Sequence, residues 1–351
     1  MKGNVQKKTP ISELGEFGLI EHLTKGIKLI NPSSKKGVGD DAAVLEYPDK
    51  QIVVTTDLLL EGIHFNLMYT PLKHLGYKAA VVNFSDIYSM NARPKQITVS
   101  LGLSKKFALE DVDALYEGIY LACKNYGVDL IGGDTSASVT GLIICITAIG
   151  ESGKNDLVYR DGAQINDLIC VSGNLGSAYM GLQLLEREKT IYEEDPTTQP
   201  DLSGYDYILN RQLKPEARKD IIEILGDLGI KPTSMIDVSD GLSSDLMHIC
   251  KNSNVGCKIY QDKIPIDQST IAMAKEFHMD PVIPVLHGGE DYELLFTIPL
   301  KFHDKINSLS QVSLIGHICK KKEGRYFITT QGSSIELKAQ GWNALKDTSK
   351  S

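Results

Sequence analysis

Residues 37 to 44 read GVGDDAAV, with two adjacent carboxylates, Asp40 and Asp41, directly after a glycine-bracketed turn. Like charges about 4 Å apart repel by roughly 4 kcal/mol at an effective dielectric of 20, so such a pair is either well solvated or holds a cation. The stretch also fits the dinucleotide pattern GxGxxA, but that pattern presents bare amides to a pyrophosphate, where this chain sets two acids. Charge argues against a dinucleotide. Further on, VVTTDLLLEGIHF offers Thr55, Thr56 and Asp57 at the expected end of a β-run. All three are hard oxygen donors of the kind Mg2+ takes, and Gly62 lets the chain turn so that His64 returns toward the same end. Ordinary turn chemistry explains these residues equally well.

The same ambiguity recurs. VVNFSDIYSMNARP sets Asp86 inside an otherwise apolar helical stretch. An unpaired carboxylate is expensive there, so a buried salt bridge or a capping contact competes with a ligand role. In DLIGGDTSAS, Gly132 and Gly133 precede Asp134, which fits either close backbone approach to an anion or a tight turn with φ above zero. SMIDVSDGLSSDLMHI places Asp237, Ser239 and Asp240 between a short strand and a helix that Ser243 or Ser244 is expected to cap. LHGGEDYELLFTI repeats the glycine-then-acid order at Glu290 and Asp291, as a charged hairpin turn also would. Solvated turns taken at random would mix in lysine and arginine. If these termini converge, their repulsion demands divalent cations, and magnesium with a polyphosphate is the expected partner.

Bulk properties narrow the field. A chain of 351 residues exceeds the size of one growing core, so two domains are expected, 1–152 and 153–351, divided at ESGKND. Net charge is −8 and no basic run exceeds the KKK at 320 to 322, which excludes nucleic acid as the main partner. The N-terminal residues lack a signal-peptide pattern and no run approaches ~18 apolar residues, so a cytoplasmic protein without a membrane partner is expected. The six cysteines show no CxxC spacing and are expected to be buried free thiols. GxxxxGK[ST], the protein-kinase set, a serine nucleophile elbow and HExxH are all missing. Any phosphoryl transfer must therefore lean on metals. Arg160, in LVYRDGA, is the basic residue placed for a phosphate, with a surface salt bridge as the competing account.

Residues 51–57, 96–103 and 142–151 are expected to be strands, and 71–90 and 108–127 helices, which makes this an α/β (α+β) chain. Ser12 is expected to cap a first helix, and the polar, Pro-rich stretch 190–206 to be a surface insertion in the second domain.

The ordered set ELGEFGLI, GVGDDAAV, TTDLLLEGIHF, NFSDIYSMNARP, LIGGDTS, YRDGA, IDVSDGLSSDLMHI, GGEDYELLFT and QGWNA closely resembles the thiamine-monophosphate kinase family. That family is part of the group containing aminoimidazole ribonucleotide synthetase and selenophosphate synthetase, and the match runs from about residue 12 to 343. The resemblance implies ATP-dependent conversion of thiamine monophosphate to thiamine diphosphate, with several Mg2+ ions. It also implies a two-domain aminoimidazole ribonucleotide synthetase-like fold, a homodimer formed through the N-terminal sheet, and ATP between the domains. By position it implies Asp41, Thr55, Thr56, Asp57, Asp86, Asp134, Asp237 and Asp240 as metal ligands, and Gly133, Asp134, Arg160 and Ser239 as ATP contacts. His64, Glu290 and Trp342 fall where the family binds its thiamine substrate. An indole face suits a cationic thiazolium or a pyrimidine ring, although a packing role explains the single tryptophan too. Asn91 and Asn166 replace glycines of the family pattern, and Asn is the residue after Gly that best tolerates φ above zero.

Overall fold

The β-branched runs pair into two sheets. The computed structural model describes residues 34–36 and 39–338. Ser12, the ELGEFGLI and QGWNA motifs, Gly37, Val38 and Trp342 lie outside the described residues. The first sheet has the order β1 (Ser34–Lys36), β2 (Ala43–Glu46), β3 (Gln51–Leu60), β6 (Ile143–Ser152), β4 (Arg93–Leu103) and β5 (Asp129–Ala137). Its neighbours are antiparallel except β4 and β5, which are parallel and joined by the crossover helix α2 (Leu109–Tyr126). The second sheet runs β13 (Ser334–Glu336), β12 (Arg325–Ile328), β9 (Gly256–Tyr260), β11 (Val312–Cys319), β7 (Leu168–Ser172), β10 (Leu294–Ile298) and β8 (Ser234–Asp237).

Helix α1 (Leu72–Ser89) joins β3 to β4 and is buried on nearly every side, as a helix with Ala, Val, Phe and Ile around its whole circumference must be. It lies against the first sheet and also meets β8 of the second. Glycines allow its approach to α2: a Cβ on Gly76 would overlap the carbonyl oxygen of Leu115, and one on Gly118 that of Lys73. Gly118→Ala is therefore expected to lower stability by about 1–3 kcal/mol through forced separation of the helices. A urea midpoint equal to the wild type would refute that account.

Ser152, the expected last residue of the first domain, is also the last of β6. The apolar core does not divide there. Leu157, Ile221, Leu225, Met235 and Phe296 join residues of α1 and the first sheet in one cluster.

Several local expectations need correction. β3 does not stop at Asp57 but continues to Leu60, because its whole length pairs with β6. The glycines of LIGGDTS do not close a run either; β5 passes through them, and neither has φ above zero. Gly133 is needed for packing instead, since a Cβ there would overlap Val99 O on β4. Helix α6 (Leu242–Asn252) starts from Gly241 at φ 108°, so Ser243 and Ser244 fall in its buried first turn rather than capping it. GGED is a loop after the short helix α8 (Val282–His287), and not a hairpin turn. The polar stretch at 190 begins as the last turn of α3 (Ser177–Glu194), with exposed loop only after it. Asn91 (φ 53°) and Asn166 (φ 74°) do adopt the left-handed conformation that replacement of glycine demanded.

Candidate active site

Aspartates from separate elements meet where α1 lies against the first sheet and β8 of the second. Asp41 precedes β2, Asp86 lies on α1 and Asp237 ends β8, and a carboxylate oxygen from each lies within 4.8 Å of the others. Side-chain alternation on β3 turns Thr55 and Asp57 to this inner side. Thr55 Oγ1 donates to Asp86 Oδ2 at 2.6 Å, and Ser85 Oγ donates to Asp237 Oδ2 at 2.5 Å. Asp86 thus has hydroxyl and carboxylate neighbours where a salt bridge or a cap was the competing expectation.

The adjacent acids of GVGDDAAV point to different partners. Asp40 pairs with Lys36 and accepts from the Arg160 amide at 3.0 Å. Asp41 receives the Arg160 guanidinium at both oxygens, 2.7 Å from Nη2 and 3.1 Å from Nε. Burial disfavours the Arg160 charge, but Asp41 beside it more than offsets this and raises its pKa.

One guanidinium does not balance so many acids. Burial pushes Asp237 up to about 7, with Asp41 adding to the shift, and holds Asp57 at about 6. Asp86 is raised further above the ordinary carboxylate value, by burial and then by Asp57, Asp237 and Asp41. An oxygen-only set drawn from three elements, crowded enough to resist ionisation, fits a hard divalent cation.

A cleft of about 790 Å3 opens beside the cluster. Asp57, Ser239 and Asp240 form the wall nearest the acids, and His64, Lys78, Tyr179 and Glu290 lie among its other walls. Gly62, at φ 81°, makes the turn that brings His64 in, and His64 Nδ1 accepts from the Leu60 amide at 3.0 Å. Burial lowers the His64 pKa, against the effect of nearby Glu290. The GGED loop packs closely on DVSDG: a Cβ on Gly289 would overlap Ser239 O, and the Glu290 amide donates to that same oxygen at 2.8 Å.

Two expected ligands lie elsewhere. The Thr56 side chain faces the opposite side of the sheet, where its hydroxyl donates to Ile146 O at 3.2 Å. Asp134 is on exposed edge strand β5 and shares that outer face, in the row Leu58, Cys145, Ser100. Conversely, Lys78, Ser85 and Gln212 were not expected from the sequence. Lys78 carried a signal, because a lone cation in GYKAAVVNF is as anomalous as Asp86.

Residues 39–152 match the family described as AIR synthase related protein, N-terminal domain. The thiamine-monophosphate kinase of Aquifex aeolicus is 33% identical over 95% of this chain and 98% of its own length. That of Bacillus subtilis is 33% identical over 95% of this chain and 100% of its own. Among solved structures, AaThiL complexed with AMPPCP and TMP superposes with a TM-score of 0.82 at 30% identity, covering 96% of this chain and 99% of that one. With this identity sustained from end to end of the curated relatives, the chain belongs to the thiamine-monophosphate kinase family.

Proposed function

We propose that this protein transfers the γ-phosphoryl group of ATP to thiamine monophosphate, giving thiamine diphosphate and ADP, with Mg2+ held by Asp41, Asp86 and Asp237. The observation that carries this reading is the meeting of three carboxylates from three elements beside a cleft of about 790 Å3. Full-length relatives named for this activity support it, as does a relative solved with AMPPCP and TMP.

A phosphate monoester has its second pKa near ~6, so the attacking oxygen of thiamine monophosphate is already largely ionised at pH 7. No side chain needs to act as general base, and none is assigned that role. The difficulty is bringing two polyanions together. Bound Mg2+ neutralises phosphate charge and orders the reacting groups. Asp57 and Thr55 complete the oxygen-rich wall, Asp240 and Ser239 face the cleft, and Arg160 stands at the cluster's edge to meet a phosphate. His64 and Glu290 are assigned to the thiamine portion.

The outer face of the first sheet exposes Leu58 and Ile131, which favours a homodimer through that face. Asp134 and Thr56 lie on the same side, so their proposed ATP and metal contacts are assigned across the dimer. The proposed domains, 1–152 and 153–351, then supply opposite walls of the cleft. Among the described residues no helix is long and apolar enough to cross a membrane.

ADP release measured with and without thiamine monophosphate, with the product identified by mass, tests the assignment. Release that depends on this acceptor and yields thiamine diphosphate is expected. Release indifferent to the acceptor would refute it.

A further inference from the structure

Glu290 stands on the cleft wall with a left-handed backbone, φ 63°, and both of its carboxylate oxygens are already held. Oε1 is 2.9 Å from the Lys78 ammonium, and Oε2 accepts from Gln212 Nε2 at 2.7 Å. Lys78 also donates to the main-chain oxygen of Gln212 at 3.1 Å. Three segments meet at this one acid: α1, the end of α4 (Asp206–Leu213), and the GGED loop. The loop is braced from behind as well. Asp291 accepts from the Gly176 amide at 2.7 Å, and Glu293 is gripped by Arg211 and Arg218.

Stability does not explain a lysine at this position. The Lys78 side chain is only 5% exposed, and replacing a buried ion pair by an apolar side chain is often neutral or favourable. The pair also leaves the Glu290 carboxylate partly open to the cleft, 29% exposed, so its function faces a ligand and not the core. What Lys78 and Gln212 supply is one fixed orientation for an acid that free rotation would scatter.

We infer that Lys78 is a positioning residue for substrate recognition: with Gln212 it holds Glu290 where that carboxylate receives the cationic or amine-bearing part of the acceptor. The inference rests on the kinase reading, in which that part is the thiazolium or pyrimidine of thiamine monophosphate. The acid is ordered before the substrate arrives, so binding does not have to order it.

Steady-state kinetics separate the two levels. The wild type must first release ADP in response to thiamine monophosphate, and silence at that stage overturns the kinase reading. Given that response, Lys78→Met is expected to raise KM for thiamine monophosphate up to about tenfold, the cost of ordering one rotamer-rich side chain on binding. KM for ATP should stay near the wild-type value and kcat should change less than KM, whatever the urea midpoint does, since removing one partner of a buried pair itself lowers stability. In a Glu290→Gln background the same substitution should add nothing. If Lys78→Met does not fold, Gln212→Leu removes the other bond to Glu290 and should give the same split. An unchanged or lowered KM for thiamine monophosphate, a parallel rise in KM for ATP, or full additivity in the double variant overturns the inference.

Discussion

Asp57→Asn is expected to lower kcat at least ~100-fold while the fold survives, because even the outer partners of a metal site are worth 10–100-fold. Asn keeps the size and one oxygen of the side chain, so the change is almost purely one of charge. β3 pairs with β2 on one side and β6 on the other, and neither ladder involves the side chain. The lost charge sits against Asp86 and Asp237 on the inner side of the sheet, and Asp57 also lines the cleft. It is therefore placed to face both the cation cluster and the phosphates. Removing it also relieves repulsion among buried acids, so the ligand-free variant should melt no lower than the wild type. Activity and stability should thus move in opposite directions. Near-normal turnover at saturating substrates would sink the magnesium assignment. A collapse in melting temperature would show that Asp57 is structural.

Removing divalent cations should abolish ADP release, and Mg2+ should restore it. The same cation should stabilise the fold, since the site proposed for it exists only when Asp41, Asp86 and Asp237 are brought together. At a free concentration 100 times its Kd, stabilisation of about 2.7 kcal/mol is expected, read as a rise in melting temperature. Asp86→Asn should lose most of that rise, because Asp86 is the member flanked by all the other acids. A Mg2+-induced shift of equal size in wild type and variant would place the cation elsewhere. Unimpaired ADP release in excess chelator would rule out the metal-assisted scheme altogether.

Much of the site was legible because burial makes certain residues conspicuous. Asp86 stood out as an acid in an apolar helix, and it proved to be one of the three carboxylates that meet. Lys78 offered the same anomaly in the same helix; its meaning depended on Glu290, more than 200 positions away. Asp134 shows what a local reading leaves open. Its glycine-rich setting looked like that of Asp237, yet β5 is an edge strand and turns the side chain to the outer face. Thr55 and Thr56 are adjacent and chemically alike, and only the pleat separates them: one donates to Asp86 and the other faces away from it.

The sequence alone determined the alternation of β-runs and helices, the absence of a lysine-based phosphate loop, and a set of acids whose convergence would call for a cation. Each of these follows from local composition and from the cost of leaving charge unpaired. Tertiary structure decided which acids meet, because convergence depends on pairings such as Leu294 with Asp237 between distant strands and on glycines that let α1 and α2 pack closely. Contact across such separations is set by packing and register, which no neighbouring residues encode.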